Sequence, residues 1–129
     1  MKIEIAIATD NGKNLTKEHF GSAKKYLIYD FNLETGDINF LKEKENLTPE
    51  EKIHGDPEKA SAVSEILKNV TVLINLVFGP NILRMKKKFV IIVSRIKEIA
   101  IVLEKLKLKK EIIKQNLNNS EKEIIYLTK

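Results

Sequence analysis

The segment from Phe89 to Val93 places the strongest constraint on the fold of this chain, because every residue in it is apolar. Apolar side chains at consecutive positions are typical of a strand that is buried on both faces of a parallel sheet. The segment from Thr71 to Asn75 has a similar character. We therefore predict two buried strands with helices packed on their sheet, which favours an α/β fold.

The first third of the chain has the pattern of three antiparallel strands. Residues 3–8 alternate isoleucine with glutamate or alanine, which is the period of a strand. Residues 25–31 and 38–42 are also strand-like, and residues 34–37 between them have the turn sequence Glu-Thr-Gly-Asp. These three strands are predicted to form a meander.

Helix starts separate the later strands. Asp56-Pro57 predicts a helix that ends near Asn69, since aspartate is a preferred N-cap and proline a preferred first residue. A short helix is predicted over residues 79–87 after a Gly-Pro pair, and Ser94 is predicted to cap a third helix. The apolar face of the third helix is predicted to comprise Ile96, Ile99, Ala100 and Leu103.

The C-terminal segment extends this order. Beyond a break near Lys107 the helix pattern continues to about Ser120, and residues 123–128 are a candidate edge strand. The element order is β-β-β-α-β-α-β-α. We predict one domain over residues 1–129, with a mixed five-stranded sheet, helices packed on it and the edge strand as an addition.

This topology brings distant loops together. In a meander the third strand runs parallel to the first, and helical crossovers make the fourth and fifth strands parallel to it as well. The carboxyl ends of these strands then share one sheet edge, where open α/β sheets bind ligands. Residues 9–24, 43–56 and 75–81, together with Ser94, emerge at that edge. The helix N-termini predicted there favour an anion.

Both histidines of the chain, His19 and His54, lie in these loops, as do several lysines. We predict a pocket for a negatively charged small ligand or a metal complex, with the two histidines as metal ligands. The alternative is that His19 is a surface residue beside a loop anchor and that His54 is a solvent-exposed loop residue.

The neighbouring residues have two interpretations each. Phe20 would anchor the loop and Gly21 would allow close backbone approach. Asp10 is an oxygen ligand or the cap of a turn. The Gly79-Pro80-Asn81 sequence presents backbone N–H groups to a ligand or is a strand-to-helix turn.

Composition and missing motifs exclude several classes of protein. The absence of cysteine excludes thiolate metal sites built from this chain alone. The net charge of +5 comes from lysines interspersed with glutamates, which makes a nucleic-acid partner unlikely. With neither a signal peptide nor a membrane span in the sequence, we expect a cytoplasmic protein. A metal-dependent nuclease is disfavoured because Glu4, Asp10 and Asp30 do not clearly converge.

Four sequence elements resemble a known family. They are Ala8-Thr9-Asp10, Glu18-His19-Phe20-Gly21-Ser22-Ala23, Tyr26-Leu27-Ile28-Tyr29 and Phe78-Gly79-Pro80-Asn81. Together they look like the dinitrogenase iron–molybdenum-cofactor biosynthesis and binding family, including its archaeal members. The resemblance covers about residues 1–105 and leaves residues 106–129 as a C-terminal extension.

The resemblance implies a ribonuclease H-like three-layer α/β/α fold. It also implies a non-catalytic cytoplasmic carrier that holds an iron–sulfur or iron–molybdenum cluster precursor and exchanges it with a donor or acceptor protein. His19 would contact the cluster, and Gly79 and Pro80 would shape the facing loop. Because residues 43–56 offer only His54, the alternative is a protein-interaction or regulatory domain that has lost the ligand.

Overall fold

A mixed β-sheet forms the centre of the computed structural model, which describes residues 1–46 and 57–128 apart from the side chains of residues 57–61. The strands are β1 (Lys2–Thr9), β2 (Lys25–Asn32), β3 (Ile38–Glu45), β4 (Val72–Asn75), β5 (Val90–Ser94) and β6 (Ile125–Leu127). The helices are α1 (Pro57–Ile66), α2 (Ile82–Lys86), α3 (Ile99–Leu106) and α4 (Lys110–Leu117). An α/β class is confirmed.

The strand order is β3-β2-β1-β4-β5-β6. β2 is antiparallel to both β1 and β3, whereas β4 is parallel to β1, β5 to β4 and β6 to β5. The predicted meander and the parallel later strands are therefore present. The sheet has six strands instead of five, because the candidate C-terminal strand pairs with β5. Chain order reverses its direction across the sheet between β1 and β4.

Each face of the sheet is covered by its own apolar cluster, because alternate side chains of a strand point to opposite faces. Ile5 and Ile7 belong to the cluster that includes α3 and α4, and Ala6 and Ala8 belong to the cluster that includes α1 and α2. Each fully buried isoleucine or leucine contributes about 1.5–3 kcal/mol. The small alanines on β1 leave room for the aromatic side chains that anchor the loop between β1 and β2, residues 10–24, which we call the first loop.

The predicted cap at Ser94 is wrong. Ser94 is the last residue of β5, and α3 begins at Ile99 after Glu98. The Ser94 hydroxyl accepts a hydrogen bond from the Ile96 amide (2.9 Å) and donates one to the Ile96 carbonyl (2.7 Å). Its side chain therefore stabilises a turn within residues 94–96 and does not reach the helix.

Pairing with the first loop explains why α3 starts late. The Leu15 amide donates to the Lys97 carbonyl (2.8 Å), and the Ile99 amide donates to the Lys13 carbonyl (3.0 Å). These bonds hold the segment before Ile99 in an extended conformation. Of the predicted apolar face, Ile96 and Ile99 are buried and Leu103 packs against the core, whereas Ala100 is exposed. Val102 and Leu106 complete the buried face of α3.

The other helix boundaries agree better with the predictions. α1 begins at Pro57 as expected but ends at Ile66, before Asn69; the predicted cap Asp56 lies outside the described residues. A 3₁₀ turn at Gly79–Asn81 precedes α2, and another at Lys107–Lys109 is the predicted break between α3 and α4. Among the described residues, no helix is long and apolar enough to cross a membrane.

Candidate functional site

The first loop, residues 10–24, meets the segments that follow β4 and β5. His19 forms a parallel β-bridge with Val77, and the Phe20 amide donates to the Val77 carbonyl (2.9 Å). Asn14 forms an antiparallel bridge with Glu98. The first loop is therefore joined to both neighbours at the carboxyl edge, which is the convergence that the topology predicts.

Asn75, the last residue of β4, is fully buried where these loops meet. Its Nδ2 donates to the Glu18 carbonyl (2.9 Å) and to the Val77 carbonyl (3.0 Å). One side chain thus satisfies the backbone on both sides of the His19–Val77 bridge. Its Oδ1 is buried and has no hydrogen-bond partner within the described residues.

Asp10 connects the two ends of the first loop. Its Oδ2 accepts from the Thr16 hydroxyl (2.8 Å), and its Oδ1 accepts from the Lys24 amide (2.9 Å). A carboxylate that accepts a bond on each oxygen is well suited to hold a loop closed. Asp10 therefore has a structural role in the first loop, which is one of its two predicted interpretations. Its contacts within the described residues do not indicate a ligand role.

Phe20 anchors the first loop in the core. Its ring is fully buried and lies 5.1 Å from the ring of Phe78 and 5.0 Å from that of Tyr26. The Tyr26 hydroxyl donates to the Phe20 carbonyl (2.9 Å), and burial raises the pKa of that hydroxyl above its ordinary value. Asn46, just after β3, donates through Nδ2 to the Gly21 carbonyl (2.8 Å).

The half-buried ring of His19 lies directly against the backbone of Gly79. A Cβ atom on Gly79 would come closest to the His19 Nδ1 and would lie 2.6 Å from its Cγ, well inside van der Waals contact. Gly79 also has a φ of +73°, a backbone conformation that residues with a side chain rarely adopt. The close approach leaves a notch of only about 10 Å³ between His19 and the turn that contains Pro80.

The Gly79-Pro80-Asn81 segment forms the 3₁₀ turn that leads into α2. The Asn81 side chain is 6% exposed, and its Oδ1 accepts from Arg84 Nη1 at 2.7 Å. The strand-to-helix interpretation of this sequence is therefore sufficient for its structure. The turn contributes the backbone of Gly79 to the site, and the imidazole ring of His19 packs against it.

A larger cavity lies on the other side of the first loop. We call it the cleft; its volume is about 430 Å³. It is bounded by the first loop, by Leu76 after β4 and by Lys97 after β5, so it opens where the strand order reverses, as ligand sites in open α/β sheets do. Its lining residues are Asp10, Asn11, Asn14, Leu15, Thr16, Lys17, Glu18, Leu76 and Lys97.

The structure therefore separates the predicted site into two parts. His19, Gly21, Pro80 and Asn81 line the notch, whereas Asp10 lines the cleft. Leu76, Lys97 and the asparagines of the first loop were missed by sequence reasoning. Lys97 had been assigned to a helix that was predicted to begin at Ser94. Asn11 and Asn14 belong to a polar stretch that is typical of a loop, but they form no motif that indicates a binding site.

Two lysines and two carboxylates line the cleft, so its formal charges balance. Within residues 1–46 and 57–128, neither Lys17 nor Lys97 forms an ion pair. The oxygens of Asp10 accept hydrogen bonds from Thr16 and Lys24, and Glu18 is exposed. The ammonium groups and the asparagine amides can therefore bind anionic oxygen or sulfide.

Metal ligands are sparse. No group of three or more histidine, cysteine, aspartate or glutamate side chains that could hold a metal ion occurs in the described part of the chain. His54 lies outside the described residues, so the structure does not address whether it faces His19. A metal centre at this edge would take one imidazole from the described residues and its remaining ligands from elsewhere.

The family assignment rests on most of the chain, from β1 to the turn after α3. A family model described as dinitrogenase iron–molybdenum cofactor matches residues 1–109, which is most of the chain. The chain belongs to this family, as its sequence motifs indicated. Membership connects it with the binding or handling of that cofactor. No curated protein matches the chain.

Proposed function

We propose that this protein is a non-catalytic carrier that binds an iron–sulfur or iron–molybdenum cluster precursor at the carboxyl edge of its sheet. The observation that carries the proposal is the cleft of about 430 Å³ at the reversal of strand order, beside the loop that holds His19. Such a cluster is anionic when ligated by sulfide or thiolate. Lys17 and Lys97, which form no ion pair within the described residues, can bind such an anion.

In this proposal the two parts of the edge have different roles. Lys17 and Lys97 attract and orient the anionic complex, and His19 supplies one nitrogen ligand. One imidazole leaves the other metal positions to the ligands of the complex or to a donor or acceptor protein. Binding through a single protein ligand is suited to a carrier, because a carrier must release its cluster.

The family resemblance implies a ribonuclease H-like fold, and we infer that fold for this chain. The strand order β3-β2-β1-β4-β5 with β2 alone antiparallel supports it. The arrangement of carboxylates gives less support to a metal-dependent nuclease role than the strand order gives to the fold. Glu4 and Asp30 are register partners on β1 and β2, closer than the sequence indicated, but Asp10 lies beyond the end of β1. Asp30 also pairs with Lys2 at 3.7 Å.

A second candidate function is a protein-interaction domain that has lost its ligand. The notch of about 10 Å³ beside His19 and the lack of a described metal-ligand cluster favour it. The two functions are separated by anaerobic reconstitution with iron and sulfide, followed by metal analysis and absorption spectroscopy. A carrier takes up iron and sulfide in a fixed ratio, whereas a domain that has lost the ligand takes up none.

Replacing His19 with alanine is expected to reduce cluster retention, because a metal ligand is lost while the backbone bridge to Val77 remains. The measurement is bound iron per chain after gel filtration of the reconstituted protein. His54→Ala tests the second predicted ligand in the same way. Equal iron in wild type and His19→Ala would contradict the assignment of His19.

Neutralising the cleft lysines is expected to weaken binding of the anionic complex. The double change Lys17→Gln and Lys97→Gln removes two exposed charges, each of which contributes up to about 1 kcal/mol, so an affinity loss of roughly tenfold is expected. The matched control is Lys68→Gln with Lys105→Gln, since both lie away from the first loop. An equal loss in the control would mean that net charge alone drives binding.

A further inference from the structure

A second groove lies between α2 and the segment after α4. We call it the lysine groove; its volume is about 380 Å³. It forms because Met85 of α2 and Ile124 pack against the same core cluster, which brings residues 120–122 alongside the helix. The lining residues are Leu83, Lys86, Lys87, Ser120, Glu121 and Lys122.

Positive charge in the lysine groove is not balanced. Three lysines line it against one carboxylate, Glu121. Within the described ranges neither Lys86 nor Lys87 pairs with a carboxylate. Some other lysines are paired, as Lys25 is with Glu43 at 3.1 Å. The three lysines against one carboxylate make the groove a local positive patch.

An exposed aliphatic side chain accompanies these lysines. Leu83 is 67% exposed although its neighbour Met85 on the same helix is 3% exposed. Packing thus turns the apolar side of α2 inward at Met85 and leaves Leu83 in the groove. Stabilisation of the helix dipole would account for Lys86 in the last turn of α2, but not for Lys122 from another segment or for Leu83.

We propose that the lysine groove binds an acidic segment of a partner protein, with carboxylates at the lysines and an aliphatic side chain over Leu83. Charge complementarity selects the acidic sequence, and the aliphatic contact selects a peptide over a nucleic acid. None of the described residues that line the groove has an aromatic ring on which a base could stack. This assignment does not depend on cluster binding at the cleft.

The groove has a defined place relative to the candidate site. α2 begins directly after the 3₁₀ turn Gly79–Asn81, whose glycine supports the His19 ring. A partner seated on α2 would therefore lie on the helix that leads away from this turn. The cleft, which is lined by other residues, would stay accessible.

The test is a titration of the ¹⁵N-labelled full chain with a synthetic peptide of alternating glutamate and leucine, followed by amide chemical shifts. Three further probes are a peptide with serine in place of leucine, a lysine–leucine peptide and oligothymidylate of equal charge. We expect shifts centred on Leu83, Lys87 and Lys122 with the glutamate–leucine peptide. Affinity should fall with added salt.

The variants keep the test specific. Lys86→Glu with Lys87→Glu, and separately Leu83→Ser, are each expected to weaken binding roughly tenfold. The charge control is Lys68→Glu with Lys105→Glu, which should leave affinity within about twofold after correction for net charge. Leu83, Lys87 and Lys68 are exposed, whereas Lys86 and Lys105 are half-buried. Thermal unfolding should therefore be measured to confirm that every variant is folded. Absent shifts at about 1 mM peptide, shifts centred elsewhere, or equal binding of oligothymidylate would overturn the proposal.

Discussion

Gly79→Ala is expected to displace the His19 ring and to lower the free energy of unfolding by about 2–5 kcal/mol. Two costs add. A φ of +73° disfavours any side chain by about 1–2 kcal/mol, and forcing an atom into a packed contact costs about 1–3 kcal/mol more. The contact is specific, since the new Cβ would meet the imidazole of His19. Urea unfolding and the ring signals of His19 in NMR spectra measure the two effects.

Gly12→Ala is the matched control for this change. Gly12 has a similar φ of +80°, but the nearest atom to a Cβ there is Lys25 Nζ at 3.8 Å, so no neighbour must move. It should show the conformational cost alone, about 1–2 kcal/mol, without any change in the His19 signals. If Gly79→Ala resembled Gly12→Ala in both measurements, the packing of His19 on Gly79 would not hold in solution.

Asn75→Leu is expected to release the first loop from β4. The change keeps the approximate size of the side chain but removes the Nδ2 donor. The Glu18 carbonyl then loses this partner, whereas the Val77 carbonyl keeps the Phe20 amide. One unsatisfied acceptor costs about 1–3 kcal/mol, and removal of the unpaired Oδ1 offsets part of it, so we expect a net loss of about 1–2 kcal/mol. Faster hydrogen exchange of the Phe20 amide should accompany the loss.

Asn116→Leu separates this local effect from general destabilisation. Asn116 is also buried, donates to the Ile112 carbonyl at 3.0 Å and accepts from the Glu123 amide at 2.8 Å, away from the first loop. A comparable stability loss is expected, while exchange of the Phe20 amide should follow global unfolding only. Selective exchange at Phe20 in both variants would show that Asn75 has no special role in holding the loop.

The sheet was predictable because its signals are local. The alternation over residues 3–8 and the apolar run over residues 89–93 identify strands, and the rules for connections then determine their directions. Even β6 had a recognisable pattern. The failure at Ser94 has a tertiary cause: pairing of Lys97 with Leu15 holds the chain extended where the local sequence favours a helix cap.

The details of the site were less predictable. Topology places the first loop opposite the segment after β4, but only side-chain packing decides that the His19 ring fills the space beside Gly79. The cleft on the other side of the loop depends on that same packing. Asn75 had a readable signal, since a polar residue ends an otherwise apolar strand, yet its bonds to Glu18 and Val77 join positions far apart in the sequence.

The proposed carrier function is tested most directly by locating the bound cluster. An iron–sulfur cluster reconstituted without oxygen broadens amide signals of nearby residues in the spectrum of the ¹⁵N-labelled chain. We predict broadening of the first loop between Asp10 and His19, of Leu76 and of Lys97, with the amino ends of β4 and β5 unaffected. Broadening centred on Thr71 and Phe89 at the opposite edge, or the absence of any bound cluster, would contradict the proposal.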